Sequence, residues 1–204
     1  MRSWSGPGKC GLVGSESNGE QVPQLKSEDV EMWKRALLGF REKKDILFRT
    51  DNDSPVVNSD FKGLRYFDPD PKFRFEAELL RSASAVSLIM TTSKETRQLF
   101  NGIGRFDLSI EGKPVRLCAY QSAEKEDPSI FVPFRDATSG SESYPAARYL
   151  DLEVEHNDLY VVDFNYAYNP YCAYSDDYAC PLPPKENWLS VAISGPAKRS
   201  TATE

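Results

Sequence analysis

Histidine is nearly missing from this 204-residue chain, where His156 stands alone. It falls in a turn between strands, so catalytic triads built on histidine, and metal sites built on several imidazoles, are nearly ruled out. Any catalysis has to run on carboxylates, tyrosine, arginine or cysteine. Long apolar runs are missing too. A membrane helix needs roughly 20 apolar residues, and the longest apolar-leaning stretch here, Ala83 to Met90, is interrupted by Ser84 and Ser87. Leu12-Val13 is the only apolar pair near the N-terminus, well short of the about 7–15 residues in a signal-peptide core. The expectation is a cytoplasmic chain with no membrane partner. Basic clusters are also lacking: 25 Lys and Arg are scattered among 31 Asp and Glu, for a net charge of −6. That argues against a nucleic-acid partner, which needs Lys and Arg gathered against phosphates. Cysteine occurs only at 10, 118, 172 and 180, and without an export signal free thiols are the expectation.

What is present points to an all-β body. There are 10 Tyr, 11 Phe and 3 Trp, punctuated by 14 Pro and 12 Gly, which suits short strands and tight turns. Residues 1–26 are rich in Gly, Ser and Pro without periodicity and are expected to be a disordered tail. Residues 196–204 are expected to be another. Between them, 27–195 is read as one domain. Ser27 looks like an N-cap, with Glu28 and Asp29 in the first turn. Val30, Trp33, Leu37 and Phe40 then mark one face of a helix over 27–49. An Asp/Asn/Ser/Pro loop, 50–60, leads into a β domain at 61–195. Strand alternation follows at 72–80, 86–92, 106–111, 115–120 and 130–135. The turn Glu111-Gly112-Lys113-Pro114 makes the clearest hairpin. A second hairpin, Arg148–Glu155 with Leu159–Tyr168, is expected across His156-Asn157-Asp158, and Trp188–Ser194 as a late strand. About eight strands behind one N-terminal helix predict a mainly β, antiparallel meander. Closing it into a barrel or strongly curved sheet would remove exposed edges.

Three segments concentrate polar residues. The first is Phe134-Arg135-Asp136-Ala137-Thr138-Ser139-Gly140-Ser141-Glu142-Ser143-Tyr144, leading to Arg148. Hydroxyls and open backbone amides there can form a concave anion site completed by the Arg148 fork. The same residues can equally hold a hairpin loop together. The second segment, Val161 to Cys172, includes Asp163, Asn165 and Asn169. Its strand is apolar on both faces, so Asp163 and Asn165 need partners, either as a structural network or as a pocket wall. The third runs from Cys172 through Cys180 to Asn187. Seven residues separate the two cysteines, which does not fit a zinc ribbon. Free structural thiols, a disulfide or redox pair, and a metal ligand or nucleophile all remain open, in that order.

The joint occurrence of these motifs resembles the domain of unknown function 1684 family. Phe134-x-Asp136-x-Thr138-Ser139-Gly140-x-Glu142-x-Tyr144 before Arg148-Tyr149-Leu150 is similar to its central motif. Asp163-Phe164-Asn165-x-Ala167-Tyr168-Asn169-Pro170-x-Cys172-Ala173 is similar to a second, and Cys180-Pro181-x-Pro183-Pro184-x-Glu186-Asn187 to a third. Gly63-Leu64-Arg65-Tyr66-Phe67 also fits. Two departures stand out. Pro145-Ala146-Ala147 occupies a link that the family usually fills with glycine. Ser194-Gly195-Pro196-Ala197-Lys198 replaces an Ala-Gly-Glu-Lys ending. The resemblance points to residues and implies no reaction.

The leading expectation is a soluble protein that binds a small polar or anionic ligand in a barrel mouth or sheet cleft. Asp136, Thr138, Ser139, Glu142, Tyr144, Arg148, Asp163, Asn165, Asn169, Cys172 and Asn187 are its candidate ligand residues. No metal is expected, and no cofactor or oligomeric state is named. One alternative is a hydrolase or isomerase with Glu142 or Asp163 as acid/base and Arg148 as charge stabiliser. Another is an interaction module whose motifs are purely structural. Counting a tight hairpin places Arg148 and Asp163 about 10 Å apart along paired strands. The reading therefore expects them to share one concavity, and Arg148→Met to abolish binding with little loss of folding.

Overall fold

A computed structural model describes residues 26–56, 61–124, 129–154, 157–194 and 197–198. Apart from Lys26, Ala197 and Lys198, the two expected tails lie outside these residues, as does His156. The chain begins with one long helix, α1 (Ser27–Thr50). Glu28 and Asp29 sit at its positive end and Arg49 in its last turn, as the helix dipole favours. Ser27 is the first helical residue and not the cap. The Lys26 carbonyl already accepts from the Val30 amide at 2.9 Å, so the ladder starts one residue early.

Seven strands follow: β1 (Arg74–Glu78), β2 (Leu80–Thr91), β3 (Arg97–Ile110), β4 (Lys113–Ser122), β5 (Ile130–Phe134), β6 (Arg148–Leu152) and β7 (Leu159–Asp163). Every strand pair is antiparallel. Strands β2 to β6 form one sheet in chain order, while β1 and β7 form a separate two-stranded sheet. The β3–β4 hairpin turns as its sequence dictates. Glu111 (φ 52°) and Gly112 (φ 75°) both adopt the left-handed backbone of a two-residue primed turn, and Phe106 faces Leu117. At Gly104 the strands come close enough that a Cβ would lie 2.5 Å from the Leu80 carbonyl oxygen, so no larger residue fits this register shift.

The barrel is not found, and the sheet is not strongly curled. Its closure would need β6 to pair with β7, and the chain does something else. The Asp158 carbonyl accepts from the Leu79 amide at 2.7 Å, and the Asp158 carboxylate pairs with Arg81 at 2.6 Å. These contacts pin the start of β7 to the β1–β2 junction, so Asp163 faces Arg74 and not residue 151. Beyond β7 the chain turns through a 3-10 turn, Phe164–Tyr166, and Tyr168 bridges the free edge of β6 at Tyr149. The expected β6–β7 hairpin is thus replaced by two separate pairings. Trp188–Ser194 is not a strand either; it keeps one parallel bridge, Trp188 to Arg135.

The main core lies between the two sheets. Phe73, Phe75, Leu79, Tyr160 and Val162 meet Phe106, Leu117, Val132, Phe134 and Leu150. Area removed from water at about 25 cal/mol per Å² makes such a cluster the principal stabilising term. Part of the outer face of the large sheet, around Met90, Phe100, Cys118 and Tyr120, is buried as well, which explains why β4 departs from simple alternation. Cys118 and Tyr120 point outward yet are covered, with the Tyr120 hydroxyl donating to Glu186 at 3.2 Å. Among the described residues no helix is long and apolar enough to cross a membrane.

Candidate functional site

The structure sorts the sequence candidates into separate places. Asp136, Thr138, Ser139 and Arg148 form one buried network. The Arg148 guanidinium donates to Asp136 Oδ1 at 2.8 Å, with both side chains fully buried. It also donates to Thr138 Oγ1 at 3.3 Å and to the Ile193 carbonyl at 3.2 Å. Asp136 accepts in addition from Thr138 Oγ1, Ser139 Oγ and the Ile193 amide. Burial pulls the Arg148 pKa down and Asp136 opposes that. The geometry is a staple between the loop, β6 and the C-terminal segment. Glu142 is on the exposed side of this loop.

Asp163 and Asn165 form a second network. Trp33 Nε1 donates to Asp163 Oδ2 at 2.6 Å, and the Asn165 amide groups donate to Oδ1 at 2.9 and 2.8 Å. Asn165 then pairs with the backbone of Asp70 in both directions. Arg41, stacked on Tyr66 at 4.5 Å, donates to the Phe67 and Asn165 carbonyls. Helix α1 is moored to the small sheet through these bonds. Trp33→Phe is therefore expected to lower stability by about 1.5–3 kcal/mol, the range for a hydrogen bond to a charged group. Urea unfolding checks it, and a change under about 0.5 kcal/mol would contradict the mooring role.

Asn169 donates to the Lys198 carbonyl at 2.8 Å, and Asn187 bridges β4 and β5 through three buried backbone bonds. Tyr144 donates to the Cys172 carbonyl at 3.2 Å and lies 3.7 Å from its sulfur. Arg148 and Asp163 do not share a concavity.

The concave surface is elsewhere. A cavity of about 730 Å³ opens between α1 and the Tyr168–Cys180 segment. Phe40, Lys43, Lys44 and Leu47 of α1 face Tyr149, Tyr168, Tyr171 and Cys180 across it. A smaller cavity of about 440 Å³ adjoins it, sharing Phe40 and Tyr168 and reaching Trp33, Arg74 and Asp163. This second space is the gap left where β6 and β7 fail to pair. Of the sequence candidates, only Asp163 lines either cavity.

Lys44 is the unusual group. Its ammonium sits 3.8 Å above the Tyr168 ring and makes no ion pair among the described residues. Burial lowers its pKa from 10.5 to about 8, with Asp151 pulling the other way. The Tyr168 hydroxyl donates to Asp151 in a short hydrogen bond. Burial holds the Tyr149 and Tyr168 phenols protonated well above the usual range. A signal for Lys44 was available in the sequence: residues 33, 37, 40 and 44 continue one helical face, so a lysine interrupts an apolar stripe. The tyrosine wall carried no such signal, because it is assembled by non-local packing.

The family model described as Protein of unknown function (DUF1684) matches residues 59–197. The chain belongs to the DUF1684 family. A solved structure, an uncharacterized protein of Haloarcula marismortui determined by solution NMR, is similar over 85% of this chain and 97% of its own. The identity is 37% and the TM-score 0.67. That likeness reaches beyond the DUF1684 match itself. No curated protein matches the chain. Among the described residues there is no group of three or more His, Cys, Asp or Glu that could hold a metal ion.

Proposed function

We propose that the protein binds a small anionic ligand with a flat, apolar body in the cleft between α1 and the tyrosine wall. The observation that carries this reading is Lys44. An ammonium held over an aromatic ring, half-buried and without an ion pair among the described residues, has lost solvation that a ligand carboxylate, sulfonate or phosphate would restore. The walls suit an aromatic or alicyclic body: Phe40, Tyr149, Tyr168 and Tyr171 offer ring faces and edges. Ligand pockets of about 300–1,000 Å³ with few polar groups are the usual form of such sites. Lys43 adds a second positive charge at the rim. The acid/base alternative finds less support, since Glu142 is exposed on a different loop and Asp163 is committed to Trp33 and Asn165.

The test uses anilinonaphthalene sulfonate as a probe, an aromatic anion whose fluorescence rises in apolar sites. Wild-type protein is expected to bind it, with small aromatic carboxylates competing. Lys44→Met is expected to weaken binding about tenfold, the equivalent of about 1.4 kcal/mol. Equal affinity in the variant would overturn the reading. A second measurement checks that Lys44 is strained without ligand. Its pKa is lower folded than unfolded, so between about pH 8 and 10.5 the unfolded chain holds the extra proton. Stability attributable to this residue therefore rises with pH across that window. Lys44→Met is expected to melt higher than wild type at pH 7, with the gap closing as pH rises towards 10.5.

A further inference from the structure

Cys180 lines the large cavity and Cys172 lies next to it outside the lining, and the anion-binding reading uses neither thiol. Cys172 is half-buried and Cys180 buried, and both are free. Cys180 Sγ accepts from the Cys172 amide at 3.3 Å, which sets the two side chains next to each other. Tyr144 adds its hydroxyl 3.7 Å from the Cys172 sulfur. The seven residues between them fold back through a 3-10 turn, Tyr171–Ala173, and the turn Ser175–Tyr178. Cys180 is held further by Ser93, whose hydroxyl accepts from the Cys180 amide at 3.1 Å and whose own amide donates to the Cys180 carbonyl at 2.8 Å.

We propose that Cys172 and Cys180 form a redox-active dithiol that reduces hydroperoxides, with Cys172 as the attacking sulfur and Cys180 as the resolving one. The Cys172 thiolate attacks one peroxide oxygen. The O–O bond breaks, and the leaving hydroxide or alkoxide takes up the proton that Cys172 released. Cys172 is now a sulfenic acid, oxidised by two electrons, and the peroxide has become water or an alcohol. Cys180 then attacks the Cys172 sulfur. The S–S bond forms, the S–O bond breaks, and the departing hydroxide leaves as water with the Cys180 proton. An external thiol returns the disulfide to the dithiol by exchange.

The division of labour follows from the hydrogen bonds. Donation from Cys180, then Ser93 and Tyr144, pulls the Cys172 pKa down to about 6 against the opposing effect of burial. Cys180, as the donor and in a buried place, is pushed up. At neutral pH a thiol of that kind is mostly thiolate, about thirtyfold more than a free cysteine near 8.5. Lower intrinsic nucleophilicity removes most of that gain, leaving a rate advantage of about two- to threefold. The larger advantage is proximity, because the resolving thiol is already in contact.

The experiment treats reduced full-length protein with one equivalent of hydrogen peroxide, alkylates it and maps the peptides. The expected product is a Cys172–Cys180 disulfide within one chain, reversed by dithiothreitol. In Cys180→Ser, Cys172 should stop at the sulfenic acid and be trapped by dimedone; in Cys172→Ser, Cys180 should stay alkylatable. Wild-type protein in which both residues remain fully alkylatable after peroxide would overturn the proposal, with no variant needed. So would a Cys180→Ser protein that yields no dimedone adduct at Cys172. Anilinonaphthalene sulfonate binding and peroxide oxidation are both read on the wild-type protein, so failure of the anion site and failure of the dithiol are distinguished.

Discussion

Replacing Arg148 by Met is expected to destabilise the protein by about 3–5 kcal/mol, the penalty for removing one partner of a buried ion pair. The sequence alone suggested the opposite outcome, a lost ligand with an intact fold. The structure changes the sign of the argument. Arg148 is about 1% exposed, and its guanidinium ties the Asp136–Ser143 loop to the Ile193 carbonyl. Without it, the Asp136 carboxylate stays in a place with no water and keeps only its neutral donors Thr138, Ser139 and the Ile193 amide. The expected readout is a large fall in the urea midpoint at unchanged slope. Arg148→Met with Asp136→Asn should recover part of the loss, because the uncompensated charge is then gone. If the single variant unfolds within about 1 kcal/mol of wild type, the network is not the staple described here.

Local chemistry was legible in the sequence, and partnership was not. The β3–β4 hairpin could be read from Glu111-Gly112 and the alternation on either side, since everything that specifies it lies within a dozen residues. The helix was legible for the same reason. The β6–β7 link looked like another hairpin. What defeats that reading is Asp158, whose backbone and carboxylate bind Leu79 and Arg81, about 80 residues earlier in the chain. Tyr160 and Val162 bury one face of β7 against the main core whichever neighbour it pairs with. Alternation therefore could not choose between β6 and β1.

The same limit governs the site. Buried polar residues in rich motifs read alike whether they bind a ligand or one another, and here Asp136, Arg148, Asn165 and Asn187 are occupied by the protein's own groups. The cleft that remains open is lined by residues of ordinary sequence appearance. The smaller cavity beside it follows from the missed pairing: because β7 leaves β6, a gap lined by both strands stays open next to Tyr168 and Trp33. A β6–β7 hairpin would have closed that smaller cavity.

Asn187→Ala is the second substitution with a large expected effect, about 3–6 kcal/mol. Asn187 is fully buried, accepts from the Cys118 amide at 2.8 Å, and donates to the Cys118 and Pro133 carbonyls at 2.9 and 2.8 Å. Strands β4 and β5 share a single residue pair in their ladder, Tyr120 with Phe131. The Asn187 carboxamide replaces the hydrogen bonds that the ladder does not make. Alanine strands three backbone groups, each at about 1–3 kcal/mol when left unpaired. Asn187→Asp separates this role from ligand recognition. It changes one atom, keeps the acceptor for Cys118 N–H, and turns both donors into an anion facing two carbonyl oxygens. If Asn187 is a strand bridge, the aspartate variant should be at least as unstable as alanine near neutral pH and should recover as acid protonates the carboxyl. If Asn187 served only a ligand, both variants would melt with wild type, and thermal denaturation across pH 4–8 distinguishes the two outcomes.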